Sequence, residues 1–276
     1  YIAPSYIEIE LTATCSLDCI FCYKDKVTHE VSEMKVDLCK KIVEDMKVFN
    51  LPYTVCFGGS GEPLDHGNFF EILDLFAGEK LVSQIIVETN GIMADVNYLS
   101  YMKKYDKINT IININGFNEE TYTALHGKDE FKKVHDNVLQ LHEDLNDDEK
   151  RTYIQIMKIN ETEPFLDDYY NYWEAKKVPI ILQKQNVYFG KIQDRRYSDL
   201  SPLKRNPCWH LQRDMYILAN GIVGFCKQDI TGEFEAASLI ENNLQEIWNS
   251  RKDAFLKDYK GTLHTAPNCA DCDEWY

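Results

Sequence analysis

No apolar stretch in this 276-residue sequence approaches the length that a membrane-spanning helix needs. The opening segment, YIAPSYIEIELT, reads as a strand rather than a secretory signal. Basic charge is scarce as well: 30 Lys and Arg stand against 45 Asp and Glu, a formal charge of −15. Such a surface repels a phosphate backbone, and no basic run is interleaved with aromatics, so neither nucleic acid nor a membrane is expected as a partner. Internal repeats and low-complexity segments are missing too. The expectation is a soluble, cytoplasmic protein. The chain opens on Tyr1 rather than Met, as an excised domain or a chain with further upstream residues would.

Cysteine is what the sequence has in plenty. Nine cysteines would suggest disulfides in a secreted chain, but the odd count, the lack of a signal and the close local spacings argue for metal ligation. A hydrophobic fraction of 44% suffices for one large domain and a smaller appendage.

Along the chain, strand and helix patterns alternate about six times. Residues 6–12 alternate and are β-rich, and Ser32–Phe49 has helical periodicity with Ser32 as its N-cap. Strands are expected at Tyr53–Phe57, Ser83–Thr89, Ile108–Asn115, Tyr153–Ile159 and Val178–Gln183. Helices are expected at Phe69–Phe76, Val96–Lys104 and Phe165–Lys176, with one more opening near Asn118–Thr121 and running past His126. That order predicts an α/β fold, a partial (β/α)6 TIM-like barrel whose parallel strands are joined by right-handed crossovers. Residues 1–192 form the barrel, the polar segment 193–207 with Pro202 and Pro207 is a linker, and 208–276 is a small cysteine-containing module. In such sheets the loops at the C-terminal ends of strands build the site. The unusual residues fall there: Cys15–Cys22, Gly58–Pro63, Asn90–Gly91 and Asn113–Gly116.

Cys15, Cys19 and Cys22 have the spacing C-x3-C-x2-C. Three such thiolates can hold three irons of a cubane and leave the fourth iron open. Zinc is the competing reading and would want a fourth protein ligand nearby, for which His29 is available. With an aromatic, Phe21, before the third cysteine, the motif resembles that of the radical S-adenosylmethionine superfamily. The resemblance implies a [4Fe–4S] cluster whose open iron binds S-adenosylmethionine, and a 5′-deoxyadenosyl radical that abstracts hydrogen from substrate. It also implies an external electron donor such as flavodoxin or ferredoxin.

Three further elements carry the resemblance. Ser60-Gly61-Glu62-Pro63 is similar to the family's Gly-Gly-Glu-Pro element, with serine in the first glycine slot; Glu62 is expected to meet the methionine ammonium and Gly61 to allow a close backbone approach. Glu88-Thr89-Asn90-Gly91 resembles the Thr-Asn-Gly turn. Asn113-Ile-Asn115-Gly116 resembles the Ser-x-Asp-Gly element, so Asn113 or Asn115 is expected at the cofactor carboxylate or ribose. Gln155 and Lys158 share the fifth strand but cannot both face inward at an offset of three, and Gln155 is preferred.

In the C-terminal region Cys208 is followed by twelve residues, Gly221, four residues and Cys226, and later by Cys269 and Cys272. Four thiolates complete either a [4Fe–4S] cluster or a zinc site. Met215–Cys226 reads as a hairpin around Asn220-Gly221, and Asn243–Ser250 as a short helix. Together these resemble a twitch or shortened SPASM module, which implies one auxiliary [4Fe–4S] cluster fully ligated by protein. Cys39 and Cys56 are expected in the core.

The resemblance implies two-electron oxidation of a small polar, sugar-type substrate. The alternative is crosslinking or epimerisation of a ribosomal peptide, against which the lack of a leader-binding segment before the first strand weighs mildly. A non-enzymatic zinc-binding module is the outside reading, and it would leave the Gly-Glu-Pro and Asn-Gly loops without a purpose. Three plus four cysteines predict two cubanes, so anaerobic reconstitution is expected to load about eight irons per chain. Stoichiometric zinc with about four irons would assign the C-terminal site to zinc.

Overall fold

A computed structural model describes residues 2–29, 33–145, 151–198, 202–204, 206–234, 237–262, 267–270, 272 and 274. Six parallel strands form the barrel wall: β1 (Tyr6–Glu10), β2 (Tyr53–Gly58), β3 (Val82–Thr89), β4 (Ile108–Asn113), β5 (Thr152–Lys158) and β6 (Ile180–Lys184). Helices α1 (Val36–Lys47), α2 (Phe69–Gly78), α3 (Val96–Lys104), α4 (Glu119–His126), α5 (Phe131–Asp144) and α6 (Leu166–Glu174) occupy the crossovers.

The strands are apolar on one face and polar on the other, and both faces are enclosed. Ile7 and Ile9, Val55 and Phe57, Ile85 and Val87, Ile154 and Ile156 belong to one hydrophobic core with residues of the helices. The residues between or beside them, Glu8, Gly58, Glu88 and Gln155, line an internal cleft. Successive side chains on a strand point to opposite faces, so an Ile-Glu-Ile-Glu run buried on both sides must place its carboxylates inside the barrel.

Two boundaries differ from the sequence pattern. The helix expected to run past His126 stops there, because Gly127 adopts a left-handed conformation (φ 76°), and α5 begins at Phe131. A Cβ at Gly127 would stand 2.9 Å from the Asp18 carbonyl oxygen, so the break also lets the end of α4 close on the cysteine loop. Ser32 lies outside the described residues; α1 starts at Val36, with Lys35 at its cap and no side-chain cap bond. The segment expected as a linker is tied to the barrel, through a bridge from Ile159 to Arg196 and a hydrogen bond from the Arg195 amide to Gln185 Oε1 (2.7 Å).

The C-terminal segment extends the same sheet. After α7 (Trp209–Arg213), β7 (Asp214–Ile217) pairs in parallel with β1, followed by antiparallel β8 (Ile222–Gly224) and β9 (Ala237–Ser238), giving the order β6-β5-β4-β3-β2-β1-β7-β8-β9. The expected hairpin around Asn220-Gly221 is therefore present and leans on the barrel wall. The short helix α8 (Leu244–Ser250) has a full capping box between Asn243 and Glu246, and Asp45 of α1 accepts from the Leu244 amide (3.0 Å). Helices α9 (Lys252–Tyr259) and α10 (Pro267–Ala270) complete the described chain. Among the described residues no helix is long and apolar enough to cross a membrane.

One carboxylate joins three parts of this arrangement. Glu10, fully buried at the end of β1, accepts from His29 Nε2 (2.7 Å) and the Ala219 amide (3.1 Å) on one oxygen. Its other oxygen accepts from the Ser60 amide (3.3 Å) and the Ser60 hydroxyl. Removing it strands buried donors, so Glu10→Ala is expected to destabilise the metal-free protein by about 3–5 kcal/mol. Denaturant unfolding checks this, and a loss below about 1 kcal/mol would show that the carboxylate is not needed to join these parts.

Candidate functional site

The loop after β1 brings Cys15, Cys19 and Cys22 to one wall of the internal cleft, all three as half-buried free thiols. Polar anchors fix the loop. The amides of Asp18 and Ile20 donate to the carbonyls of His126 and Leu125 (both 3.1 Å), which are open acceptors at the end of α4. Lys24 Nζ reaches the carbonyls of Cys15 (3.4 Å) and Leu17 and the Asp18 carboxylate (2.8 Å), and Lys128 Nζ reaches that of Ser16. Burial pushes all three thiols above their ordinary pKa, and at Cys19 the neighbouring Cys22 and Cys15 add to the effect. Three crowded thiols that resist ionisation in an empty protein become good ligands once a cation offsets their charge, so the donor set fits an iron–sulfur cluster.

The turn after β2 packs behind this loop. A Cβ on Gly61 would stand 2.1 Å from the Thr12 carbonyl oxygen, and the Glu62 amide donates to the Thr14 carbonyl (2.8 Å). The glycine thus serves a close approach between two protein loops. Ser60, the departure from the family pattern, spends its hydroxyl on Glu10. Glu62 is buried; Oε1 accepts from Thr89 Oγ1 (2.6 Å) and the Leu64 amide (3.1 Å), and Oε2 from the Asn90 amide (2.6 Å). Burial raises its carboxyl to about 7, against the pull of those donors. Its observed role is to tie the second motif to the third. Asn90 in turn points Nδ2 at Cys15 Sγ, 3.6 Å away.

The other expected residues divide. Phe21, Gly61, Glu62, Asn90, Asn113 and Gln155 line the cleft, and Gln155 Nε2 donates to Asn113 Oδ1 (2.7 Å). Asn115 and Pro63 are not among its lining residues: Asn115 is buried with Oδ1 on the Met157 amide (2.7 Å), and Pro63 opens a short 3-10 turn. Lys158 lies 3.9 Å from Glu163 and over the Tyr197 ring, away from the cleft. His29, the alternative zinc ligand, is bound to Glu10.

Sequence reasoning missed many polar residues of the cleft, among them Glu8, Glu88, His126 and Lys227. Lys227 Nζ pairs with Glu8 Oε2 at 3.0 Å. The Ile-Glu alternation of β1 was a usable signal for Glu8, since both strand faces are covered. His126 carried none, being one histidine at a helix end.

The C-terminal cysteines also converge. Cys208, Cys226, Cys269 and Cys272 line one small pocket with His210, and burial pushes the Cys208 thiol to about 12 and the Cys226 thiol well up. The Cys208 amide donates to Asp258 of α9 (2.5 Å), and Arg251 holds the carbonyls of Asp214 and Phe225. Among the described residues no three His, Cys, Asp or Glu side chains close on a single metal ion. The four thiols surround one pocket, a donor set that fits an iron–sulfur cluster. Cys39 and Cys56 are buried, as expected of core residues.

Replacing Cys15, Cys19 and Cys22 together by Ala is expected to abolish reductive cleavage of S-adenosylmethionine. Chromatographic assay of 5′-deoxyadenosine checks this, and formation at the parent rate would refute the assignment of the loop.

The family comparisons agree with the motifs. The model described as the radical SAM superfamily matches residues 9–167, more than half of the chain, and that of the SPASM iron–sulfur cluster-binding domain matches residues 208–273. An uncharacterised protein of Treponema pallidum is 38% identical over 122 residues, which are 44% of this chain and 33% of that protein. The chain thus matches about a third of that relative's length. Among solved structures, BtrN in complex with AdoMet and 2-DOIA aligns with a TM-score of 0.65 at 16% identity, covering 99% of this chain and 96% of that one. Streptococcus suis SuiB bound to its precursor peptide SuiA aligns with a TM-score of 0.72 at 14% identity, covering 99% and 71%. At such identities the likeness is one of fold. With the motif loops, the cysteine sets and the matched family model together, the chain belongs to the radical S-adenosylmethionine superfamily and carries a C-terminal SPASM-type iron–sulfur module.

Proposed function

We propose that this enzyme is an oxidoreductase that removes a hydrogen atom, a proton and an electron from a small polar, sugar-type substrate. The observation that carries the reading is the reach of one cleft from the first cysteine loop to the segment beside Cys226. Cys15, Cys19 and Cys22 line it, and so does Lys227, the residue after Cys226. A substrate seated there would meet the first cysteine set directly and the second through the segment that carries Lys227. Its surroundings are polar: Glu8, Glu88, Gln183, Gln185 and Asn186. In this reading residues 1–192 are the barrel, 193–207 a linker and 208–276 the auxiliary module.

A cluster on Cys15, Cys19 and Cys22 with S-adenosylmethionine would supply the hydrogen-abstracting radical, and one on Cys208, Cys226, Cys269 and Cys272 an electron acceptor. The chain's own groups do the rest. Asn113 and Gln155 offer amides for the polar parts of S-adenosylmethionine, with Asn90 and Phe21 nearby in the same wall. Oxidation of a secondary alcohol to a ketone also releases the hydroxyl proton, which needs a base. Glu8 is ion-paired with Lys227 at 3.0 Å, whereas Glu88 meets that ammonium only at longer range and has no hydrogen bond or ion pair among the described residues. Glu88 is assigned that proton. An external one-electron donor of flavodoxin or ferredoxin type belongs to the same proposal. So does a reducing cytoplasmic setting, which suits nine free cysteines.

The test is anaerobic incubation with reductant, S-adenosylmethionine and a panel of deuterated aminocyclitols and sugars, reading deuterium in 5′-deoxyadenosine by mass spectrometry. Glu88→Gln is expected to lower product formation by about 10²–10⁴-fold while deuterium transfer persists. Transfer from ribosomal peptides and from none of the small molecules would replace this reading with peptide maturation.

A further inference from the structure

The sulfur of Cys19 lies 3.2 Å from Nδ1 of His126. What that contact is depends on the other ring nitrogen. His126 Nε2 receives the Asn115 backbone N–H at 3.1 Å and faces Asn115 Nδ2 at 3.5 Å. A backbone amide can only donate, so Nε2 is the acceptor, and the single proton of the neutral ring sits on Nδ1. The ring has little freedom to do otherwise. Tyr122 stacks on it at 4.2 Å with planes 21° apart, Phe21 meets it edge-on at 5.8 Å, and the residue is buried. Asn115 is fixed in turn by the Met157 amide.

We propose that His126 is a positioning residue for the first cluster, donating its Nδ1–H to the Cys19 sulfur and thereby raising the cluster's reduction potential. A donor aimed at a ligand sulfur favours the more negative, reduced state of an iron–sulfur centre, and hydrogen bonds to the sulfurs are among the levers that set its potential. The inference rests on Cys19 being a cluster ligand and is independent of the substrate. It also gives Asn115, absent from the cleft wall, a reason for its buried place: its backbone N–H fixes the ring's tautomer.

Two substitutions separate donor from acceptor. His126→Asn keeps an amide nitrogen near the position of Nδ1 but loses the acceptor for Asn115. His126→Gln keeps an acceptor near the position of Nε2 but removes the donor to Cys19. Potentiometric titration followed by electron paramagnetic resonance is done on the reconstituted holoenzyme, with the first cluster recognised by the change in its signal on adding S-adenosylmethionine. The potential is expected to fall in His126→Gln and to stay near the parent's in His126→Asn, with the second cluster unchanged in both. A parent-like potential in His126→Gln, or equal falls in both variants, would overturn the proposal. Should a variant fail to load iron, the parent alone decides: with ring-¹⁵N histidine, pulsed resonance of the reduced first cluster must show coupling to one histidine nitrogen, and its absence also overturns the proposal. Failure of the cluster assignment itself would appear elsewhere, as undiminished iron in the Cys15, Cys19 and Cys22 triple variant.

Discussion

The buried carboxylate of Glu10 is the interaction on which the rest of the site depends. Burying a charge is tolerable only where donors surround it, and here they come from three parts of the chain: His29 beyond the cysteine loop, Ser60 in the turn after β2 and Ala219 in the C-terminal hairpin. Each donor is thereby held relative to the end of β1, from which the cysteine loop departs. The serine that replaces a glycine of the family element is one of these donors. A departure that would look like decay in the sequence is, in the structure, part of the joint between barrel and appendage.

A second constraint is the polarity of the barrel. Apolar faces pack outward under the helices and polar faces meet inside, the reverse of a filled barrel core. An interior holding Glu8, Glu62, Glu88 and Lys227 is costly to enclose unless each group has a partner or a ligand. Glu62 has three donors and Glu8 has Lys227. Glu88 shares the field of Lys227 with Glu8 but has no hydrogen bond or ion pair of its own among the described residues, which is why it is the group assigned to substrate.

Much of this was legible in the sequence, and the reasons differ by element. Alternation of strand and helix patterns made the six barrel strands legible because each is a short β-rich run, apolar on one face, between amphipathic helices. The cysteine sets were legible because their spacing is local. What was not legible depends on contacts between distant segments. The parallel pairing of β7 with β1 joins residues some two hundred apart, and nothing in either strand alone specifies it. The end of α4 at His126 hung on one glycine, whose left-handed turn is needed because Asp18 lies against it. Glu62, expected at a ligand, lines the cleft and also holds Leu64, Thr89 and Asn90; a motif names the residue but not the protein groups its two oxygens also serve.

The pairing of β7 with β1 has a consequence for how the two cysteine sets relate. Cys226 follows β8, which hangs on β7, and β7 runs in register with the strand that leads into Cys15. The appendage is therefore docked by a hydrogen-bonded ladder as well as by side chains, with Glu10 clamping its hairpin at one end and Asp45 of α1 capping α8 at the other. Backbone ladders fix position along the strand far more tightly than apolar contact does, since a slip of one residue reverses every side chain. Lys227 meets Glu8 because this register holds it there, and the ion pair forms in the same cleft that the first three cysteines line. The geometry between the two cysteine sets is thus written into the sheet rather than left to the segment that connects them.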